Sequence, residues 1–258
     1  MPTTSISFTE TPLLNLVLRR ADDALILGHR LSEWCGHAPM VEEDIALANI
    51  ALDLIGQARS LYDYAAQVEG SGLNEDHFAY RREQHQYRNC LLVEQPNGDF
   101  AATIVRQVLF SAFMDLYWRA MMNSRDATLA AIAAKAEKET AYHLRHSAEW
   151  LIRLGDGTDE SHARAEAGLD ELWTYTGELF EADEVEAGLA RSGIAPDAST
   201  LGEPWQKRLE PILREATLNI PNTPWMQTGG RSGRHTEHLG YILADLQFLQ
   251  RAHPEAVW

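Results

Sequence analysis

Hydrophobic residues recur every three or four positions along most of the chain, which is the period of an amphipathic α-helix. The pattern predicts one long helix over Leu13–Trp34 and a second over Val41–Val68. In the second run, the apolar residues that share one stripe are Ile45, Ala48, Leu52 and Ile55. Gly36 and Pro39 suit the end of the first helix, because glycine accepts the left-handed cap and proline cannot continue the helix.

The rest of the chain continues the helical pattern. Further helices are predicted near Glu75–Val93, Asp99–Asn123, Asp126–Leu154, Thr158–Phe180, Asp183–Arg191, Leu201–Leu218 and Thr236–Arg251. An irregular stretch, "NIPNTPWMQTGGRSGR", precedes the last helix, and no segment alternates as a β-strand does. We therefore predict one all-α domain over residues 1–258, in which a four-helix bundle of about residues 13–154 carries C-terminal helices at about 158–252.

Composition and charge disfavour binding to nucleic acids and to membranes. The 258 residues are 45% hydrophobic and 23% charged, as in soluble globular proteins, and the formal net charge is −16. Such a charge repels nucleic acids and anionic membranes. No secretory signal and no apolar run near the ~18 residues of a membrane span is visible, so the sequence predicts a cytoplasmic protein. Cys35 and Cys90 form no CxxC pair and are interpreted as reduced thiols.

The segment "EKETAYHLRHS", Glu137–Ser147, mixes carboxylates and histidines at helical spacing. Di-iron four-helix bundles use Glu-x-x-His, because residues three apart lie on one helix face and can bind one metal pair. Here Tyr142 stands three residues after Glu139, and His143 comes one position later. No glutamate in the chain has a histidine three residues after it, and the one Asp-x-x-His, Asp159–His162, lies at a turn. The complete metal motif is therefore missing.

Carboxylates at ligand depth on the four long helices are interpreted as relic metal positions: Glu33, Asp53, Asp115 and Glu139. Gly56 stands where a histidine paired with Asp53 would be. Lys135, one turn before Glu139, can supply the positive charge that a metal would bring. The commoner alternative for such a triplet is a ladder of Lys135, Glu139 and His143 on a solvated face. We predict neither metal ligands nor catalytic residues in this chain.

Two smaller groups of reactive side chains carry less weight. Cys35 and His37 lie together at a helix end, but nucleophilic catalysis also needs a positioned base and an oxyanion hole. Helix capping is the preferred interpretation of that segment. His143, His146 and Glu149 could bind a stray divalent ion, although such histidines more often hydrogen-bond to carbonyls or to water.

A glycine-rich stretch, "GGRSGR", precedes the helix predicted from Thr236. Backbone N–H groups at a helix start can bind phosphate, and Arg231 and Arg234 add positive charge there. The spacing fits neither the P-loop nor GxGxxG. A surface loop, or a loop folded against a partner protein, is therefore the favoured alternative to a phosphate site.

Six segments together resemble one protein family: "RLSEWCGHAP", "ANIALDLIGQAR", "LLVEQPNGDFA", "KETAYHLRHS", "LGDGTDES" and "GGRSGRHTEHLG". These ordered matches extend from Leu13 to Arg251 and are far more specific than a short motif. On them, the chain resembles the non-catalytic, ferritin-like C-type subunits of bacterial phenylacetyl-CoA epoxidases.

The resemblance implies a ferritin-like fold and a structural role beside a related catalytic protein, the A-type subunit, which holds the di-iron centre. It also implies a reductase that takes electrons from NADPH, and a further small subunit. Such a complex epoxidises the aromatic ring of phenylacetyl-CoA with dioxygen during phenylacetate degradation, and this chain carries no cofactor of its own. Coenzyme A phosphates at the interface, or the catalytic subunit itself, then become possible partners of Arg231 and Arg234.

Two other functions remain open from the sequence. One is a self-contained di-metal oxidase or ferritin-like metal store that uses Glu33, Asp115, Glu139 and His143. The other is a free-standing helical binding module. The missing Glu-x-x-His pairs disfavour the first, and the whole-chain resemblance disfavours the second. For a member of a complex, Trp205, Trp225 and Met226 are candidate interface residues, because Trp and Met are enriched in protein interfaces.

Overall fold

The computed structural model describes residues 5–254 and 256, and its regular structure is helical. The α-helices are α1 Pro12–Ser32, α2 Val41–Glu69, α3 Glu75–Tyr80, α4 Leu91–Glu94, α5 Phe100–Met121, α6 Ala127–Gly155, α7 Asp159–Trp173, α8 Glu184–Arg191, α9 Gly202–Glu215, α10 Glu237–Leu246 and α11 Phe248–Ala252. Short 3₁₀ turns join several of them, and no strand is present in the described part of the chain. The all-α prediction is confirmed.

Four long helices, α1, α2, α5 and α6, form a bundle. α1 packs along α2, α5 packs along α6, and contacts between α2 and α6 join the two pairs. Thr11, Asp99 and Asp126 cap the starts of α1, α5 and α6, because each side chain accepts a backbone N–H from the first turn. The boundaries of all four helices lie within two residues of those predicted.

The core is one contiguous cluster of buried hydrophobic residues that runs from Leu14 on α1 to Leu243 on α10. The predicted single domain, with a core bundle of about residues 13–154, stays a prediction. By length and composition α5 could cross a membrane, which corrects the statement that no apolar run approaches that length. Inside the protein, 83% of its apolar window is buried. Its hydrophobicity is therefore that of a core helix.

The helix predicted over Glu75–Val93 is wrong in its middle. α3 ends at Tyr80, and the chain then passes through an irregular segment with one 3₁₀ turn before α4 begins at Leu91. The cause is Arg82, which is buried and bonds through its guanidinium to Asp22 of α1 and to the Phe78 and Gln86 carbonyls. These tertiary bonds hold the backbone away from a helical path.

Two other predicted helices are shorter or interrupted in the structure. The helix from Thr158 ends at Trp173, and residues 177–180 form a 3₁₀ turn. The final helix breaks at Gln247, whose side-chain amide is buried and donates to the Arg82 carbonyl and the Tyr87 hydroxyl. The same irregular segment after α3 therefore also fixes the C-terminal helices.

The second helix, α2, has apolar residues on two opposite faces. One face is buried in the core and includes Leu47, Ile50, Leu54 and Leu61. The stripe singled out from the sequence lies on the other face, where Ile45 and Leu52 are exposed. The helix itself was predicted, but the stripe that identifies it points away from the bundle.

Candidate functional site at the centre of the bundle

A small cavity of about 10 Å³ lies between α1, α2, α5 and α6. Helical bundles build cofactor and metal sites at such places, from side chains that project inward on facing helices. The polar side chains that line it are Arg20, Gln57, Gln107, Ser111, Trp118, Thr140 and His143. A cavity of this size has room for about one water molecule, so the centre of the bundle is nearly closed.

Two pairs of inward residues have the spacing of a Glu-x-x-His motif. On α6 the pair is Thr140 and His143, and on α2 it is Leu54 and Gln57. Each pair begins one residue after the predicted relic position, Glu139 or Asp53. One residue turns a helix by about 100°, which moves a side chain from the interior to the flank. Of the four inward residues, His143 is the one common metal ligand.

Two of the predicted relic carboxylates do not line the central cavity. Glu33 lies at the end of α1, where its carboxylate accepts from Arg30 at 2.9 Å and from Asn97 at 2.8 Å. Asp115 on α5 is buried, but it pairs with Arg119 at 3.0 Å and with Arg208 of α9. Each has a structural arginine partner, and neither is among the residues of the cavity wall.

The other two relic carboxylates lie together at the flank where α2 meets α6. Asp53 Oδ2 is 3.0 Å from Nε2 of the buried His143, and Gln57 Nε2 donates to Glu139 Oε2 at 2.9 Å. Lys135 Nζ is 3.5 Å from Glu139 Oε1, but the Glu139 side chain is only 17% exposed and His143 is buried, so the three residues do not form a ladder on a solvated face. Among the described residues, no three His, Cys, Asp or Glu side chains converge on a point where they could hold a metal ion.

A buried cation borders the central cavity. The guanidinium of Arg20 lies 2.6 Å from Glu186 and 3.3 Å from Asp23, and stands 4.5 Å from the centre of the Tyr117 ring. Burial lowers the pKa of Arg20, as does Arg231, but Tyr117, Glu186 and Asp23 raise it, and the net pKa is above its ordinary value. Arg20 therefore keeps a permanent positive charge beside the cavity.

Several polar atoms around the cavity have no protein partner. Gln107 Nε2 donates to Ser111 Oγ at 2.8 Å, whereas Gln107 Oε1 and Trp118 Nε1 are buried without a hydrogen bond. The Nε atom of Arg20 is likewise unpartnered. These groups are neutral donors and acceptors or a cation. They suit water far better than a pair of metal ions, which needs several carboxylates to balance its charge.

The glycine-rich loop does not leave both of its arginines accessible. Arg231 is buried, and its guanidinium holds the two oxygens of Asp23 on α1 at 2.9 and 2.8 Å. Burial lowers the pKa of Arg231, but Asp23 and other acidic neighbours raise it by more. This bidentate pair leaves no free face for a coenzyme A phosphate, which corrects the substrate-binding interpretation of Arg231. Arg234 is exposed, and its role stays a prediction.

Internal carboxylates occupy the backbone N–H groups of the same loop. Glu178 accepts from the N–H groups of Gly229 and Arg231, both at 3.0 Å, and from Leu91 at 2.7 Å. At the start of α10, the backbone N–H of Thr236 donates to the buried Glu94 at 2.7 Å. The sequence favoured a surface loop here over an anion site, whereas Gly230 and Arg231 are buried and the loop N–H groups bind anions that are carboxylates of this chain.

The buried charges that hold these segments to α1 were not predicted from the sequence. Asp22 pairs with Arg82 and accepts from the Arg88 N–H at 2.6 Å, while Asp23 accepts from the Cys90 N–H at 2.7 Å. A signal was available, because "RRADD" places four charges between the apolar runs "LVL" and "ALIL". Charges in a helix with no solvent face must find partners from other segments.

The remaining candidate groups have structural roles. His37 Nδ1 lies 3.1 Å from the Cys35 carbonyl. Gly36 has a φ of 80° but lies three residues beyond the cap of α1, which is Glu33, and its N–H donates to Asp44 at 2.8 Å, so the predicted capping role of Gly36 is wrong. His146 Nε2 is 3.0 Å from Glu43, and neither this pair nor Glu149 belongs to a cluster of metal-type ligands. Of the proposed interface residues, Trp225 is exposed, whereas Trp205 is buried in the core.

Comparisons with known proteins agree with this architecture. The family model described as phenylacetic acid catabolic protein matches residues 2–258. The chain is 51% identical over 241 residues to a protein of Escherichia coli (strain K12) named as the C-type subunit of 1,2-phenylacetyl-CoA epoxidase, covering 93% of this chain and 97% of that protein. The resemblance inferred from the six segments and the ferritin-like fold class are thereby confirmed. The chain belongs to the phenylacetic acid catabolic protein family, whose members have a ferritin-like, all-helical fold.

Proposed function

We propose that this chain is the structural, non-catalytic subunit of a 1,2-phenylacetyl-CoA epoxidase complex and that it pairs with a separate di-iron subunit in the cytoplasm. The observation that best supports the non-catalytic role is the centre of the bundle, where Gln57, Gln107, Thr140 and Arg20 surround a cavity of about 10 Å³. The E. coli epoxidase protein of the C type, with 51% identity, supports the assignment to such a complex.

Charge balance supports a non-catalytic role. A pair of iron ions brings several positive charges, which di-iron bundles offset with four glutamates and two histidines. The cavity wall of this chain offers one histidine, His143, and no carboxylate, and the Arg20 guanidinium borders it. A bound metal pair would meet repulsion from Arg20 and find too few oxygen ligands. The residues present do not fit a di-iron centre.

In the proposed complex, the oxygen chemistry belongs to other subunits. The di-iron protein activates dioxygen for epoxidation of the aromatic ring, and a reductase supplies electrons from NADPH. This chain contributes a helical bundle in which most buried charges are paired within the chain, as Asp22 is with Arg82 and Asp23 with Arg231. Its own role is to stabilise and shape the catalytic subunit, with no bond of the substrate broken or formed on its side chains.

Copurification followed by metal analysis tests this function. A tagged copy of the chain is recovered from a native extract of its host, and the subunits of the complex are separated and measured for iron. We expect an iron-containing partner to coelute with the chain and all of the iron to remain with that partner. Two irons on the separated chain, or recovery of the chain alone, would contradict the proposal.

Arg234 remains a candidate for contact with coenzyme A phosphates or with the catalytic subunit. It is exposed on the loop before α10, whereas Arg231 is committed to Asp23. Replacing Arg234 by Ala in the intact complex separates the two roles. Weaker binding of phenylacetyl-CoA with the complex intact supports the phosphate role, and dissociation of the complex supports the interface role. No effect on either measurement would leave Arg234 as an ordinary surface residue.

A further inference from the structure

The outward side of the first half of α2 presents large aliphatic side chains to solvent, with the exposed Asn49 between Ile45 and Leu52. Val41, Ile45 and Leu52 are 71%, 58% and 66% exposed. Their spacing of four and seven residues places them on one side of the helix, opposite the side on which Leu47 and Leu54 enter the core. The large aliphatic side chains of this face therefore do not pack within the chain.

The second half of the same helix has an ordinary solvent face. Arg59, Asp63 and Gln67 continue the outward side, and all three are exposed and polar. Arg59 lies 3.5 Å from Glu75 and Gln67 bonds to Asp63, as expected of surface side chains. The change from aliphatic to polar within one helix shows that the apolar residues are confined to one patch, which is unusual for a surface in contact with water.

A glycine lies on the same outward side, at the end of the apolar patch. Gly56 follows Leu52 by one helical turn, and a Cβ atom at this position would meet nothing within 4 Å. The chain therefore has no internal need for glycine there, although glycine in the middle of a helix is destabilising relative to alanine. Small residues at such positions allow the backbone of a second helix to approach closely.

The charges beside the patch indicate what kind of partner fits. Between Val41 and Ala58 the sequence contains four acidic residues and no Lys, Arg or His. Glu42 is exposed, and the side chain of Asp53 is 38% exposed. A second copy of this chain would bring the same acidic patch and a further net charge of −16. A partner with an apolar helix flanked by basic residues is the better match.

We propose that the outward face of α2 from Val41 to Gly56 is the docking surface for a helix of the iron-binding partner protein. The inference rests on the proposed function, because that protein is the partner named there. The helices cross most closely at Gly56, and Val41, Ile45 and Leu52 form the apolar centre of the contact. The sixteen residues from Val41 to Gly56 span about 24 Å of helix, which is long enough for the centre of a standard protein interface.

Single substitutions on the surface test the docking face. Leu52→Glu is compared with Tyr241→Glu, which places the same charge on α10 at a residue that is 67% exposed. Both variants are expected to keep the thermal midpoint of the isolated chain, because both side chains already face solvent. Leu52→Glu should weaken binding to the iron-containing partner at least about tenfold, as loss of a central interface residue does, and Tyr241→Glu should leave it unchanged. Equal effects of the two variants, or none from Leu52→Glu, overturn the assignment.

Gly56→Leu provides a second, independent test. The chain has room for the new side chain, so the thermal midpoint of the isolated variant should stay the same or rise. The affinity for the partner should nevertheless fall, because the leucine fills the crossing point. An affinity equal to that of the wild type overturns the close approach at Gly56.

The outcomes also separate this inference from the proposed function. If the wild-type chain does not associate with an iron-containing partner, the proposed function fails. If it associates and the α2 variants bind equally well, only the docking assignment fails. A wild-type homodimer in sedimentation that Leu52→Glu dissociates would overturn the choice of partner in favour of a second copy of this chain.

Discussion

Buried polar groups are treated differently in two regions of this protein. Around α1, Asp22 and Asp23 are fully buried, and both carboxylates are bonded to arginines and to backbone N–H groups from distant segments. At the centre of the bundle, Gln107 and Trp118 carry atoms with no protein partner beside a small cavity. In the first region the buried carboxylates are fully bonded, although the Nε atoms of Arg19 and Arg20 have no partner, and in the second region amide and indole groups carry the unpartnered atoms.

The difference indicates where the fold depends on charge. A buried carboxylate is costly unless it is paired, so each pair in the α1 network fixes a segment in a single position. Arg82 fixes the segment after α3, and Arg231 fixes the loop before α10. The bundle centre, where a metal would require carboxylates, is lined by amide, hydroxyl, indole and imidazole groups and by the edge of Arg20. Ionic bonding here organises the chain and leaves no negative charge for a cofactor.

The largest effect should follow from removing one partner in the α1 network. Asp23→Ala leaves Arg231 buried without its counter-charge and also removes the acceptor of the Cys90 N–H. Breaking a buried pair in this way costs about 3–5 kcal/mol. The free energy of unfolding from urea titrations should fall by that amount.

The double variant Asp23→Leu with Arg231→Met is the matched control for that change. It removes both charges and leaves apolar side chains of similar volume, so its loss of stability should be clearly smaller than that of Asp23→Ala alone. Equal losses would mean that packing, and not the unpaired charge, accounts for the effect.

A smaller loss is expected from Glu178→Gln. The carboxylate accepts three backbone N–H groups, and the amide would turn its NH₂ group toward at least one of them. Leaving a buried donor unsatisfied costs about 1–3 kcal/mol, which denaturant titration can resolve. Glu181→Gln, at a nearby exposed position, is the control and should leave stability unchanged. If Glu178→Gln leaves the free energy of unfolding unchanged, the hydrogen bonds from the loop N–H groups to Glu178 do not stabilise the fold.

The centre of the bundle should tolerate the loss of polarity. Gln107→Met conserves volume and removes an Oε1 atom that has no protein partner, at the cost of one hydrogen bond to Ser111. The free energy of unfolding should change by less than about 1 kcal/mol. A loss as large as that of Asp23→Ala would mean that the centre is as tightly satisfied as the α1 network, and the comparison between the two regions would fail.

The smallest expected effect concerns acid sensitivity. Burial lowers the pKa of His29 on α1 below the ordinary value of about 6.5. As the pH falls through that value, the unfolded chain takes up a proton that the folded chain resists, so stability decreases. His29→Gln should therefore reduce the loss of stability between pH 7.5 and pH 5.5. The exposed His85→Gln is the control, and equal pH dependence in the His29→Gln variant and the wild type would refute this role.

The sequence predicted the long helices well because their signal is local. Periodicity and the capping residue Asp126 placed α6 within one residue of its observed limits. The helix prediction was wrong over residues 81–90. There, Arg82 bonds to Asp22, which lies 60 residues earlier in the chain, and no local sequence pattern reveals such a partner. The sequence also did not fix which residues of α6 face the centre of the bundle. Glu139 lies at the flank, whereas the next residue, Thr140, lines the central cavity.

The glycine-rich loop illustrates a different limit. Glycines and arginines before a helix indicated affinity for an anion, and the backbone N–H groups there do bind carboxylates. The sequence could not tell whether the anion is a ligand or a side chain of the same protein, because Glu178 and Glu94 are distant in the chain. On α2, the stripe at helical spacing was found, and its outward direction required the packed bundle.

Anaerobic calorimetric titration of Fe²⁺ into the isolated, folded chain tests the central claim most directly. A centre formed by Gln57, Gln107, Thr140, His143 and Arg20 should take up no saturable pair of ions, and His143→Ala should leave the titration unchanged. Saturable binding of two Fe²⁺ per chain that His143→Ala abolishes would contradict the structural, non-catalytic role proposed for this protein.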